Sequence, residues 1–506
     1  MGDQALRTTE GQSRALRRSA PSVFKALSTQ RLVPLIFFAL LFALATRAPT
    51  DTDTWWHLRT GELILQTGEP PRVDAFSHTR AGQTWDYVGW MAQVAMALSY
   101  RLLGEAGLAL LTAALAVVGM WLVWQACEGD VFTRAFAALI SATAAAIFWS
   151  ARPQMFSFVF AALLLYLLHR LKREGKDNLW LIVPLLIVWV NTHPGYFIAF
   201  LLLGGFIVGE VLGKLFNALE PPSLAWRQIG KLVLIAALGY GVLVLNPSGA
   251  AAWTYAFRTF GIGALQHYIQ EWASPDFHRR ETWAFLALLF GTFGMVGFSG
   301  RRHDLTDLFL FCGTAFMAFY AGRNISLFAL VATPILTRHV HAFRALRGWR
   351  LPKARPPKGA GLALNWLLLA LIVGGAALKV FAELTPSAIR RAQAERLPLG
   401  AVAYLNEARP QGILFNSYNW GGYLLFAAPD FRVFVDGRTD LYDDELLIEW
   451  LRAYTGAAWR EVFARWSIGL VVIERESVLA ALLRASEDWQ ETYSDQISAV
   501  FERRGG

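Results

Sequence analysis

The chain has 506 residues, 55% of them hydrophobic and 17% charged, against about 25% charged in soluble chains, and its mean hydropathy is +0.37. The apolar residues fall in long continuous runs. They describe a polytopic membrane protein and exclude a secreted domain, a disordered scaffold and a β-barrel, whose strands would alternate over short segments. The net charge of +9 does not imply nucleic acid, because Lys and Arg sit in short loops between apolar runs, as cytoplasmic loops do.

Residues 1–31 are basic (Arg7, Arg14, Arg17, Arg18, Lys25, Arg31) and precede the apolar run 32–46. That run is expected to be an uncleaved first span with the N-terminus in the cytoplasm. Further runs fall near 107–126, 134–150, 155–169, 178–191, 196–213, 231–245, 282–298, 306–322, 325–337 and 361–382. Residues 88–103 are ambiguous. If they spanned, the basic loops at 170–176 and 301–302 would move outside, so they are expected to lie amphipathically at the interface, leaving eleven spans. Cys127 and Cys312 lie in or beside apolar segments, which predicts two free thiols and no disulfide framework.

A basic, Pro-rich linker at 351–360 precedes the last span, which exports residues 384–506. This tail is charged and patterned for short strands at 412–415, 432–435 and 469–473 and helices at 443–454, 457–466 and 477–485. The expected fold class is mainly α: a transmembrane bundle over 32–383, including a long outside loop at 47–87, followed by a small exported α/β domain at 384–506. The Ala-, Arg- and Leu-rich composition fits the inner membrane of a bacterium, with the tail periplasmic or extracellular.

On this topology the rare polar clusters share the outside face, which points to an outward polar cavity: DTDTWWH (51–57), ARPQ (151–154), NTHPG (191–195), NPSG (246–249), EWASPDFH (271–278) and GRN (322–324). A carboxylate in the first outside loop, Asp53 or Asp51, can act as general base on an acceptor hydroxyl that attacks a sugar carbon. The leaving group would be an anionic, membrane-held lipid phosphate, met by Arg152, His193 or Arg323. Blander readings exist for each. Asp53 is suited to cap a helix, Arg152 before Pro153 to snorkel at an interfacial turn, and His193 and His57 to pack. Asp-x-Asp with His57 leaves a divalent metal open. No zinc spacing and no Walker or Rossmann glycine pattern appears.

Taken in order, DTDTWWHLRTGELILQTGEPPRVDAFSHTRAGQTW, ARPQMFSF, VNTHPGYF, LNPSGAAAW, QEWASPDFH, AGRNISLF, FNSYNWGGYLLF and VFVDGRTDLY resemble bacterial membrane proteins of the GT-C glycosyltransferase superfamily, of the polyprenyl-phosphate-sugar-dependent and mannosyltransferase-like kind. The resemblance implies an inverting transfer from a lipid-linked sugar to a hydroxyl-bearing acceptor on the non-cytoplasmic face. It implies Asp53 as base with Asp51 second, and donor-phosphate contacts at Arg152, His193 or Arg323. His57, Glu271, His278, Asp436 and Arg438 are further candidates for the cavity. The sequence departs at Gly89, where relatives carry a polar or acidic residue before the Trp. That departure keeps a catalytically silent assembly partner open as an alternative, beside a transporter or flippase for a lipid-linked glycan. Gly421 and Gly422 are expected to be structural.

Overall fold

The computed structural model describes residues 27–260, 272–349 and 357–505. The basic N-terminus up to residue 26, most of the linker at 351–360 and the candidate Glu271 lie outside the described residues.

The bundle comprises α1 (Thr29–Ala45), α2 (Thr54–Thr67), α3 (Trp90–Leu103), α4 (Glu105–Ala126), α5 (Val131–Ala145), α6 (Gln154–Glu174), α7 (Ile182–Thr192), α8 (Phe197–Leu215), α9 (Trp226–Gly241), α10 (Ala251–Phe260), α11 (Trp283–Phe298), α12 (Leu305–Tyr320), α13 (Ile325–Leu346) and α14 (Ala360–Glu383). Among the described residues, eight helical segments are long and apolar enough to cross a bilayer, and three shorter apolar helices, Thr29–Ala45, Leu179–Thr192 and Leu305–Tyr320, accompany them. The chain is a multi-pass membrane protein. Helix α3 is not among these apolar helices and packs between α2 and α4. Helix α13 is the most enclosed of the eight, packed by α5, α11 and α12, whereas α14 is peripheral and leans on α1. Close approach of α8 and α12 depends on Gly209, where a Cβ would stand 3.0 Å from the Thr306 nitrogen.

At one end of the bundle the helices stop in short 3-10 turns: Ala146–Phe148, Pro194–Tyr196, Val242–Leu245, Arg280–Thr282 and Gly322–Asn324. Prolines and glycines in these turns (Pro194, Gly195, Gly322) break the helical ladder and leave polar side chains at the bundle's edge. The opposite end carries the Lys and Arg clusters. There Lys172, Arg173, Arg301 and Arg338 are paired with Glu210, Glu220, Asp304 and Asp307.

The tail continues with α15 (Pro386–Ala394), α16 (Leu399–Ala408), β1 (Ile413–Asn416), α17 (Tyr418–Ala427), α18 (Asp444–Tyr454), α19 (Trp459–Arg465), β2 (Ile468–Glu474), α20 (Val478–Arg484), β3 (Trp489–Ser494) and β4 (Ser498–Arg503). Its sheet runs β1-β2-β4-β3; β1 lies parallel to β2, and the other pairs are antiparallel. The register sets Phe415 beside Val471 and Val472 beside Val500, all fully buried.

Two expectations for the tail change. Residues 432–435 are not a sheet strand. They form a buried segment bridged to the first loop at Ser77 and Val433, and the Asn416 side chain holds the Phe434 nitrogen and the Val435 carbonyl. An apolar run whose backbone is satisfied by one short bridge to residues 76–78 and by side chains reads like a strand but joins no sheet. Strands β3 and β4 were not anticipated, because their polar–apolar mixture (WQETYS, SAVFER) lacks a continuous apolar run. The first loop also joins the tail: Trp56 and Trp85 belong to the same buried cluster as Leu414, Phe434 and Val471.

Candidate functional site

The 47–87 loop, the helix ends with 3-10 turns and the tail meet around a cavity of about 800 Å³. Asp51, Asp53, His57, Arg152, His193 and Arg323, separated by up to 272 positions (323 − 51), all line it.

Asp53 stands at the N-cap of α2, yet its side chain caps nothing. The local bond is made by Asp51, whose Oδ1 accepts from the Asp53 backbone N–H at 3.0 Å. That turn sends the Asp53 carboxylate toward Arg152, with Nη2 2.9 Å from Asp53 Oδ2 and Nη1 3.5 Å from Asp51 Oδ2. Arg152 thus bridges both carboxylates at the foot of α6. Charge-assisted pairs of this kind hold a planar guanidinium in a defined orientation.

The two histidines are neutral. Burial lowers the His57 pKa well below its ordinary value, with the positive charge of Arg152 acting the same way, and Gln93 Nε2 lies 3.4 Å from its Nδ1. Burial, Arg323 and Arg152 push His193 down to about 3. His193 Nδ1 accepts from the Gly195 backbone N–H at 3.0 Å and from Ser157 Oγ at 2.8 Å; that hydroxyl itself accepts from Trp189 Nε1 at 2.7 Å. An Nδ1 that accepts twice places the remaining proton on Nε2. His193 therefore offers a neutral donor. Arg323 lies over the Trp272 ring at 4.7 Å.

The Asp-x-Asp carboxylates converge on Arg152, and among the described residues no group of three or more His, Cys, Asp or Glu converges elsewhere. Among the described residues no side-chain set is arranged as a divalent-ion site.

Three sequence candidates lie apart from the cavity. His278 is fully exposed, with Nδ1 3.2 Å from Asp276. Asp436 and Arg438 do not line the cavity and are completely buried. Arg438 Nη2 meets Asp436 Oδ2 at 2.7 Å, its Nη1 meets Asp74 Oδ1 at 2.6 Å, and its guanidinium sits between the rings of Phe76 and Trp85. Their charges neutralise each other and fasten the tail to the first loop. Between them Gly437 does reach the cavity.

Further residues line the cavity, among them Asp440, which the turn at 436–440 left open between a structural and a cavity-facing role. Asp440 accepts from Tyr255 Oη at 2.8 Å and Trp85 Nε1 at 3.2 Å, and burial raises its pKa. Arg396, in the turn between α15 and α16, is exposed and has no ion pair among the described residues. Tyr87 also lines the cavity and explains Gly89: a Cβ there would lie 2.8 Å from the Tyr87 hydroxyl and 3.0 Å from the Thr192 carbonyl. Tyr87 fills the space a side chain at 89 would need. Gly421 and Gly422 allow α17 to press on residues 435–436 and on the Thr52 carbonyl.

The architecture recurs in solved structures. The oligosaccharyltransferase AglB from Archaeoglobus fulgidus, in complex with an inhibitory peptide and a dolichol-phosphate, superposes with TM-score 0.55 over 88% of this chain and 69% of that chain, at 12% identity. The same organism's oligosaccharyltransferase tethered to an acceptor peptide gives TM-score 0.59 at 14% identity, again over 88% of this chain and 69% of that one. The chain has a GT-C fold. The mycobacterial arabinofuranosyltransferase AftD matches 95% of this chain and 40% of its own length, with TM-score 0.53 and 14% identity. No protein-family model and no curated protein sequence matches the chain. At these identities the likeness establishes the GT-C fold, and function rests on the site.

Proposed function

We propose that this protein is a membrane glycosyltransferase that moves a sugar from a polyprenyl-phosphate-linked donor to an acceptor hydroxyl, with inversion, at the non-cytoplasmic face of a bacterial inner membrane. The observation that carries this reading is the Asp53 carboxylate, 2.9 Å from Arg152 and open to a cavity that Arg323 and Arg396 also line. The solved AglB complex contains a dolichol-phosphate, a ligand of the class these cations suit.

In this mechanism Asp53 removes the proton from the acceptor hydroxyl as its oxygen bonds to the anomeric carbon. The bond from that carbon to the phosphate oxygen breaks, and its electron pair leaves with the lipid phosphate. Arg152 touches the base before reaction and is placed to share its charge with the departing phosphate, while Arg323 and the neutral His193 Nε2–H add donors. Asp51 positions Asp53 through the turn. The test is turnover: purified protein with a panel of polyprenyl-phosphate sugars, scored for released polyprenyl phosphate. Release that disappears in Asp53→Asn supports the reading, and release unaffected by Asp53→Asn rejects the base.

A further inference from the structure

We propose that the acceptor is a carbohydrate, held by an aromatic shelf on the tail helix α18. The proposal rests on the transfer reaction above and names its acceptor side. Leu447, Trp450, Leu451 and Tyr454 all line the cavity. Their i, i+3, i+4, i+7 spacing is one complete helix face, so α18 turns an apolar stripe toward the reaction chamber. Trp450 and Tyr454 are half-buried, with rings stacked at 5.0 Å and 19°. Tyr418, also on the cavity wall, extends the shelf at 5.8 Å from Trp450. Asp53 and Tyr418 line the same cavity, so the shelf and the proposed base share one chamber.

The polar edges of these rings are already engaged. Trp450 Nε1 donates to the Asn416 carbonyl at 3.0 Å, Tyr454 Oη donates to Glu474 Oε2 at 2.8 Å, and Tyr418 Oη pairs with Thr439 Oγ1 at 2.6 Å. The shelf therefore presents carbon surface. Hydrogen-bonding groups lie on the same cavity wall: the exposed Asn419 amide, without a hydrogen-bond partner among the described residues, and the Asp440 carboxylate. A sugar ring has a face of carbon-bound hydrogens and a rim of hydroxyls, and matches both. A lipid chain would match the shelf but leave the Asn419 amide covered without a partner. An extended peptide would pair with an open strand edge. At β1 that edge is closed, because the Leu414 carbonyl accepts from His78 Nε2 at 2.9 Å and the Asn416 carbonyl accepts from Trp450.

The experiment is saturation-transfer difference NMR on the full chain in detergent. The probes are linear oligosaccharides of glucose, mannose, galactose and arabinose, a pool of Ser- and Thr-containing peptides, and a polyprenyl phosphate. Ring protons of at least one oligosaccharide are expected to saturate. The signal should fall about tenfold in Trp450→Ala and persist in Trp450→Phe, which keeps an aromatic face. The readout is binding and needs no turnover, so a failure of the base assignment is read separately from a failure of the shelf. Saturation of no oligosaccharide, undiminished signal in Trp450→Ala, or Trp450-dependent signal only from peptide or polyprenyl phosphate each overturns the proposal.

Discussion

Gly437 of the tail lies directly against the carboxylate of Asp53: a Cβ at Gly437 would collide with Asp53 Oδ1 and stand 3.0 Å from Trp56 Nε1. The tail is therefore part of what aims the proposed base. Gly437→Ala should displace the carboxylate by a fraction of an ångström to an ångström. A misplacement of that size costs on the order of 100-fold in rate. Turnover of lipid-linked sugar by the variant, normalised to folded protein, should show that loss, and wild-type turnover would mean that Asp53 needs no such support.

Asp51 and Asp53 both touch Arg152 but do different work, and substitution should separate them. Asp53→Asn removes the base and is expected to lower kcat by roughly 10²- to 10⁴-fold. Asp51→Asn keeps an Oδ1 acceptor for the Asp53 backbone N–H, so the turn survives and the loss should be much smaller. Equal losses would assign the chemistry to the pair as a unit.

The joint between tail and first loop should be sensitive to acid. Burial opposes ionisation of Asp74, but the Arg438 charge, with hydrogen bonds from Ser77 and Phe76, holds its pKa below the ordinary value. A carboxyl depressed in the folded state stabilises fully above its unfolded pKa, and that contribution is lost as pH falls through the folded value. Thermal unfolding should therefore show a loss below about pH 4 that Asp74→Asn reduces. Arg438→Met strands two buried carboxylates and should destabilise by about 3–5 kcal/mol, read as proteolytic release of the tail under conditions where wild type resists.

Much of this arrangement is legible in the sequence because membrane insertion writes it there. Apolar runs mark the bundle, and polar residues in breaks such as NTHPG and GRN mark the end where a cavity forms. Asp53 and Arg152 stand out for that reason. The tail's share is hidden. Leu447, Trp450, Leu451 and Tyr454 form the same stripe a core-facing helix would carry, and nothing local says that it faces a cavity. Asp436 and Arg438 looked available because a turn is usually solvent-exposed, whereas here the 47–87 loop folds over it and supplies Asp74. Long-range docking of that kind has no local sequence signature.

His193 makes a separate pH statement. Its pKa, pushed down to about 3, lies below the unfolded value near 6.5, so the unfolded chain binds a proton that the folded chain refuses. Stability should fall as pH drops from about 6.5 toward 3. His193→Gln, which keeps an acceptor and a donor, should flatten that slope in thermal unfolding between pH 7.5 and 5. An unchanged slope would show that the ring is already charged in the folded state and would favour a cationic role toward phosphate.

The far end of the bundle should matter for folding and not for chemistry. Lys172 Nζ lies 2.5 Å from Glu210 Oε1 and 2.8 Å from Asp304 Oδ1, and all three side chains are at most 3% exposed. Glu210 also accepts from Thr306 Oγ1 at 2.8 Å and the Leu224 backbone N–H at 3.2 Å, so one lysine ties α6, α8 and α12 together. Lys172→Met leaves the buried Glu210 without its cation, while Asp304 keeps Arg173, and is expected to destabilise by about 3–5 kcal/mol. Lys176→Met, just beyond the end of α6 and with an exposed pair to Glu174, should cost at most about 1 kcal/mol. Thermal unfolding in detergent measures both. Because the cavity is at the opposite end, turnover per folded molecule should be unchanged in either variant; a selective loss of kcat in Lys172→Met would show that the two ends of the bundle are coupled.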